Sequence, residues 1–215
     1  MYNPKHFQAA ELPELMAFVE KYSFGTLYSQ TDGEPFATQL PFLLERDADG
    51  QLYLLGHMAR VNPHWRLIAD RVLVVFQGPH AYISPTWYQE ERTVPTWNYA
   101  TVHASGEFEL VESGEELIRI LNRTVEKYES SMEAPWRADM TSPFQTQLMQ
   151  GIVGFKVKII RFEGKWKLSQ NHSDERRERV INALRLSERD NAQAVADLME
   201  ENLKRKKASD SESSQ

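Results

Sequence analysis

The chain of 215 residues contains no cysteine. That excludes a disulfide framework, a thiol nucleophile, a zinc ribbon and a cysteine-held iron–sulfur cluster, and it suits a reducing compartment. No run of 18 apolar residues occurs, and residues 1–10 lack the charged-then-apolar order of a secretory signal. A soluble cytoplasmic protein without a membrane segment is the expectation. Positive charge is also scarce: 25 Lys and Arg stand against 31 Asp and Glu, a formal net charge of −6 that gives no general attraction to phosphate backbones. Gly-x-Gly-x-x-Gly and Gly-x-x-x-x-Gly-Lys-Ser/Thr are both missing, so neither a Rossmann dinucleotide loop nor a P-loop is available. The six histidines form no metal-binding pattern, although one could still serve as an axial haem ligand. The carboxylates show no spacing distinctive of acid–base catalysis, and no hydrolase is indicated.

The apolar pattern that is present is mostly strand-like. Leu12, Leu15, Met16 and Val19 repeat at helical spacing, and two strands follow around Asp32-Gly33. Asp47-Ala48-Asp49-Gly50 separates Phe36–Leu44 from Gln51–His57, a second strand pair. After Asn62-Pro63 comes a brief helix containing Trp65, Leu67 and Ile68, then a buried strand at Val72–Phe76. Residues 78–96, with three prolines, read as a long irregular passage of the kind that is usually functional or mobile. Asn98–Val111 alternates as a long strand, and Ser113-Gly114-Glu115-Glu116 has the form of a capping box opening a helix to about Tyr128. Ser142-Pro143 begins a short helix ended by Gly151, and Ile152–Phe162 is the last strand. About six strands with added helices predict a mainly β fold built on a small barrel over residues 1–172. A charged helical extension occupies 173–207, and a Ser/Asp/Glu-rich tail over 208–215 is expected to be disordered.

Three constellations could carry chemistry. In Gly56-His57-Met58-Ala59-Arg60-Val61-Asn62-Pro63 a strand gives way to a helix, and Arg60 with His57 could hold a phosphate; the plainer reading makes Arg60 a surface cation. Tyr82, Trp87, Tyr88, Trp97 and Tyr99 place five large aromatics among Ser, Thr and Asn, which suits a planar heterocycle such as a flavin and equally suits a core or a subunit interface. Lys167, Ser169, Gln170, Asn171 and His172 offer donors and acceptors past an apolar strand, for a ligand or for capping the next helix. Between residues 174 and 207 nine basic side chains meet eight acidic ones, so only Lys204-Arg205-Lys206-Lys207 is a basic run, too short to indicate a nucleic-acid arm.

Taken in order, several motifs make the chain similar to the PaiB family of FMN-binding split-barrel proteins, described as negative transcriptional regulators. They are Tyr2-Asn3-Pro4-Lys5-His6-Phe7, His57 to Pro63, Phe76-Gln77-Gly78-Pro79 with Tyr82 to Tyr88, Val94-Pro95-Thr96-Trp97-Asn98-Tyr99, Val102-His103-Ala104-Ser105-Gly106 and Lys167-Leu168-Ser169-Gln170-Asn171. The resemblance implies a split β-barrel of the pyridoxamine-phosphate-oxidase kind, a homodimer with FMN at the subunit interface. It implies the phosphate at His57 and Arg60 with Asn62 nearby, the ring near Thr96, Trp97, Asn98 and Tyr99, and partner contacts from Trp87 or from Lys167, Ser169 and Gln170. It further implies a negative transcriptional regulator or flavin-dependent redox sensor, or alternatively a flavin-dependent oxidoreductase or a haem-binding or haem-degrading enzyme on the same fold. No helix-turn-helix is recognisable, and the overall charge argues against direct DNA contact. The single arginine between His57 and Pro63 implies modest FMN affinity.

Overall fold

The computed structural model describes residues 1–9, 11–137, 139–140 and 142–212. The chain folds as two compact units, and three long strands pass through both. The first unit comprises residues 1–14, 77–102 and 163–215, and the second comprises 15–76 and 103–162.

Eight strands are formed among the described residues: β1 (Gln8–Ala9), β2 (Phe24–Thr31), β3 (Glu34–Pro41), β4 (Leu43–Arg46), β5 (Leu52–Ala59), β6 (Arg71–Ile83), β7 (Thr96–Leu110) and β8 (Ile152–Lys167). Six helices accompany them: α1 (Leu12–Lys21), α2 (His64–Leu67), α3 (Gly114–Glu129), α4 (Pro143–Met149), α5 (Asp174–Arg185) and α6 (Ala192–Glu212). The strands hydrogen-bond in the order β3-β2-β6-β7-β8-β5-β4, with β1 added on β8. The β2–β3, β2–β6, β4–β5 and β5–β8 pairs are antiparallel.

In the second unit, local chemistry sets the hairpin. Asp32 (φ 53°) and Gly33 (φ 86°) both adopt positive φ, the two-residue turn whose twist matches paired strands. Phe42 packs edge-on against Phe76 at 5.5 Å and Phe155 at 6.0 Å, and Phe108 stacks on Phe155 at 5.1 Å. Phe42, Phe76 and Phe155, with Leu54, Val74 and Val157, form a core closed to water, and Phe108 lies half-buried at its edge. Helix α3 begins as its capping box predicts: the Ser113 hydroxyl accepts from the Glu116 backbone N–H at 3.4 Å. The helix buries Ile120 against Leu43 and Leu55, and Arg119 and Arg123, one turn apart, both bind Glu45. Gly106 on β7 approaches β8 so closely that a β-carbon there would lie 2.1 Å from the Lys158 carbonyl oxygen.

In the first unit, α5 buries Val180, Ile181 and Leu184, and α6 buries Val195, Ala196, Met199 and Leu203. Arg177, almost fully buried, donates to Asn202 Oδ1 at 2.8 Å. Three of the four cations in the basic run on α6 are spent on acids: Arg205 reaches Glu14 and Glu201, Lys206 reaches Asp174 and Lys207 reaches Glu178.

Two strands run further than their apolar patterns predict. β6 continues through Gly78 and Pro79 to Ile83, because Ala81 and Ile83 resume the buried alternation, so the irregular passage begins only after a short 3-10 turn at Pro85–Tyr88. β8 continues past Phe162 to Lys167, where Gly164 and Lys165 pair with Ala9 and Gln8 of β1, a partner remote in sequence. Helix α6 docks through an apolar stripe that ends at Leu203 and runs on as an exposed helix to Glu212, over part of the segment expected to be disordered, and 213–215 lie outside the described residues.

Candidate functional site

The first unit contains a cavity of about 380 Å³ between the start of β7, the end of β8 and the turn after β6. Period-two alternation along β7 decides what faces it. Thr96 and Asn98 line the cavity, and the intervening Trp97 does not. Asn98 is fully buried; its amide donates to Ser169 Oγ at 3.0 Å and accepts from the same hydroxyl at 3.2 Å.

Past β8 the chain must turn sharply to present Ser169. Gln170 holds the turn, accepting from the Leu168 N–H at 2.7 Å and donating to the Trp166 carbonyl at 2.5 Å. Ser169 takes φ 64°, the left-handed region in which a residue with a side chain is strained. Lys167, on the last position of β8, donates to Thr96 Oγ1 and to the Trp97 carbonyl at 2.7 Å. Burial, reinforced by the neighbouring charge of Lys165, pushes its pKa below the ordinary lysine value.

The opposite wall comes from the 3-10 turn and α5. Ser84 caps the turn, its hydroxyl accepting from the Thr86 N–H at 3.3 Å. The Tyr88 ring lies 5.1 Å from that of His172 and 4.8 Å below the Arg176 guanidinium. Tyr88 is 1% exposed, and its hydroxyl has no hydrogen-bond partner among the described residues. Burial, with help from the Arg176 charge, pushes the His172 pKa down and favours the neutral ring. Arg176 and Arg179 both approach Glu90, at 3.3 and 3.5 Å. Arg92, Lys167 and Arg176 line the cavity together with His6 and His172, and no carboxylate is among the described lining residues. The lining thus combines three cations with aromatic faces and fixed amide and hydroxyl groups.

The structure therefore gathers Thr96, Asn98, Lys167 and Ser169 in one cavity, while Gln170 supports the wall from behind. Trp87 and Trp97 line a second cavity of the same unit. Tyr99 is half-buried with Lys165 Nζ 5.5 Å from its ring centre. His57, Arg60 and Asn62 belong to the second unit. His57 sits on β5 opposite Gly154, and burial pushes its pKa down. Arg60 spends Nε on the Gln150 carbonyl at 2.7 Å and Nη2 on that of Ile152 at 2.8 Å, at the edge of a separate cavity of about 600 Å³. Asn62 donates to Thr38 Oγ1 at 3.2 Å and accepts from the His64 N–H at 3.0 Å.

Sequence reasoning missed His6, Arg92 and Arg176 as site residues. Arg176 reads as one more cation on a charged helix, and His6 stands far from the other residues in the chain. Asn171 and His172 were within a polar cluster already singled out, but nothing local distinguished capping from lining. Among the described residues no group of three His, Asp or Glu could hold a metal ion, and no helix is long and apolar enough to cross a membrane.

A mainly antiparallel sheet with six helices among the described residues defines a split-barrel protein. Residues 1–161 match the family model FMN_bind_2, described as "Putative FMN-binding domain", and the chain belongs to that family. Over 209 residues, 95% of this chain and 99% of the relative, it is 42% identical to protease synthase and sporulation protein PAI 2 of Bacillus subtilis, which places it with the PaiB proteins. Two solved structures share the fold. The flavocytochrome Anf3 of Azotobacter vinelandii has a TM-score of 0.61 at 12% identity, covering 80% of this chain and 74% of that one. The FAD and haem binding protein of Mycobacterium smegmatis has a TM-score of 0.58 at 16% identity, covering 79% and 78%.

Proposed function

We propose that this chain binds FMN in the cation-lined cavity of the first unit and acts in the cytoplasm as a homodimer, in flavin-dependent negative regulation or redox sensing. The observation that carries this reading is the content of that one cavity. Arg92, Lys167 and Arg176 supply charge for a phosphate monoester, Arg176 while paired with Glu90, and no described lining residue is a carboxylate. Tyr88, His172 and Phe7 supply ring faces, and Asn98, Ser169 and Asn171 supply groups to read a heterocycle edge. A volume of about 380 Å³ falls within the range of small-molecule and cofactor sites, roughly 300–1,000 Å³. The buried Tyr88 hydroxyl, without a partner among the described residues, fits a ligand that brings its own acceptor or donor. Bound flavin would supply one- or two-electron chemistry; the chain's own groups bind, orient and hold charge.

Family membership supports the choice of FMN, and the two structural neighbours, one binding FAD and haem and the other a flavocytochrome, bind flavin on this fold. Exposed Met132, Trp136, Phe144 and Leu148 supply the apolar surface a second copy needs. With Arg205, Lys206 and Lys207 paired to acids, regulation works through the flavin or a partner protein rather than through a basic DNA-binding arm.

The test is gel filtration of the purified chain after FMN addition, with absorbance followed at a flavin wavelength. A flavin band eluting with the protein at the mass of a dimer is expected. Flavin that elutes free removes the cofactor assignment, and a flavin-loaded monomer removes the dimer.

A further inference from the structure

On the face of β7 opposite the cation-lined cavity, the first unit has another. Trp97, between Thr96 and Asn98, opens into a cavity of about 310 Å³ whose walls include Tyr82 and Trp87, with the buried Leu184 also lining it. Trp97 makes an edge-on pair with Tyr82 at 6.0 Å and lies 6.1 Å from the ring of His80, yet 53% of it remains exposed. Half-open indole and phenol faces of this kind are costly to leave in water.

The connection between α5 and α6 forms the rim. Its backbone is fixed: the Arg189 N–H donates to Ser187 Oγ at 3.3 Å, the Ala192 N–H donates to the Arg189 carbonyl at 3.1 Å, and Asn191 is held at φ 63°. A non-glycine residue in that region is strained, and such positions gather at ligand-contacting loops. Arg189 and Asp190 are thereby presented side by side at the cavity, and neither forms an ion pair among the described residues.

We propose that this cavity binds a free α-amino acid with an aromatic side chain. The ring inserts between Trp87, Trp97 and Tyr82, the carboxylate meets the Arg189 guanidinium, and the ammonium meets Asp190. Each part of the lining excludes a simpler ligand. A plain anion is repelled by Asp190, a plain cation by Arg189, and an uncharged ring leaves both charges unused, whereas a zwitterion with an apolar plane satisfies all three walls. A cavity this small holds a one- or two-ring molecule. No lining residue is shared with the cation-lined cavity, so this reading stands or falls independently of FMN.

Calorimetric titration of the full chain with L-phenylalanine, 3-phenylpropionate and phenethylamine tests it, with tryptophan fluorescence as a second signal. L-Phenylalanine is expected to bind with a dissociation constant between about 1 μM and 1 mM, and each analogue lacking one charge should bind about tenfold more weakly or worse. Arg189→Gln should erase the preference over phenethylamine, and Asp190→Asn the preference over 3-phenylpropionate, with FMN retention unchanged in both variants. Equal affinities for the three compounds overturn the proposal, as does the absence of saturable heat up to about 10 mM. So does a Trp97→Leu chain that becomes monomeric while its phenylalanine binding is intact, since that would make the face a subunit contact.

Discussion

Replacing Lys167 by Met keeps the length of the side chain and removes only its charge, so it isolates the proposed grip on the FMN phosphate. In the free protein this ammonium is crowded, since burial and the charge of Lys165 both lower its pKa, while its acceptors among the described residues are the Thr96 hydroxyl and the Trp97 carbonyl. A cation held in that state gains from a dianion. A hydrogen bond to a charged group contributes about 1.5–3 kcal/mol, so Lys167→Met should weaken FMN roughly 10- to 150-fold. Riboflavin, which has the same ring without the phosphate, should lose little. Removing a desolvated charge should leave the melting temperature of the flavin-free chain unchanged or slightly higher. Because a group whose folded pKa is lowered gives up its proton below the ordinary lysine value of about 10.4, FMN affinity of the unaltered chain should already fall on the acid side of that value as pH rises. Parallel fluorescence titrations with FMN and riboflavin decide the matter. Equal losses for both flavins, or no loss for either, would refute the reasoning.

Three other outcomes follow from the geometry. Arg60→Ala removes two hydrogen bonds to the carbonyls of Gln150 and Ile152 from an exposed side chain, and should cost about 1–2 kcal/mol in denaturant unfolding while leaving the ratio of FMN to riboflavin affinity alone; a loss confined to FMN would return the phosphate to Arg60. Gly106→Ala drives a methyl group into the Lys158 carbonyl oxygen, and the strand pair must part, at about 3 kcal/mol or more; soluble expression at an unchanged melting temperature would contradict the close approach. Burial lowers the pKa of His57, His64 and His172, so the unfolded chain binds more protons near pH 6 than the folded one does. Stability should be full above about pH 6.5 and should decline as the pH falls through that value, before carboxylates titrate; a melting temperature that is flat or rises between pH 7.5 and 5.5 would count against it.

Much of the architecture was legible because it is local. The Asp32-Gly33 turn, the capping box at Ser113 and the alternation along β7 each act within a few residues, so their patterns survive in the one-dimensional sequence. The extents of β6 and β8 were not legible. Glycine and proline interrupt the apolar pattern of β6, and the far end of β8 is held by β1, a pairing that leaves no mark near residue 164.

For the site, the sequence by itself determined which chemistry was on offer: aromatic rings interleaved with amides and hydroxyls near residues 82–99, polar groups after β8, and no cysteine, nucleotide loop or basic excess. Motif order was enough to indicate the family. Only the tertiary structure decided how those residues are shared out. It put Thr96 and Asn98 on one face of β7 and Trp97 on the other, brought Arg92 and Arg176 to Lys167, and spent Arg60 on backbone carbonyls. The physical reason is that residue type fixes what a side chain can bind. Which groups meet depends on strand register and on packing between segments distant in the chain, where no short-range preference acts.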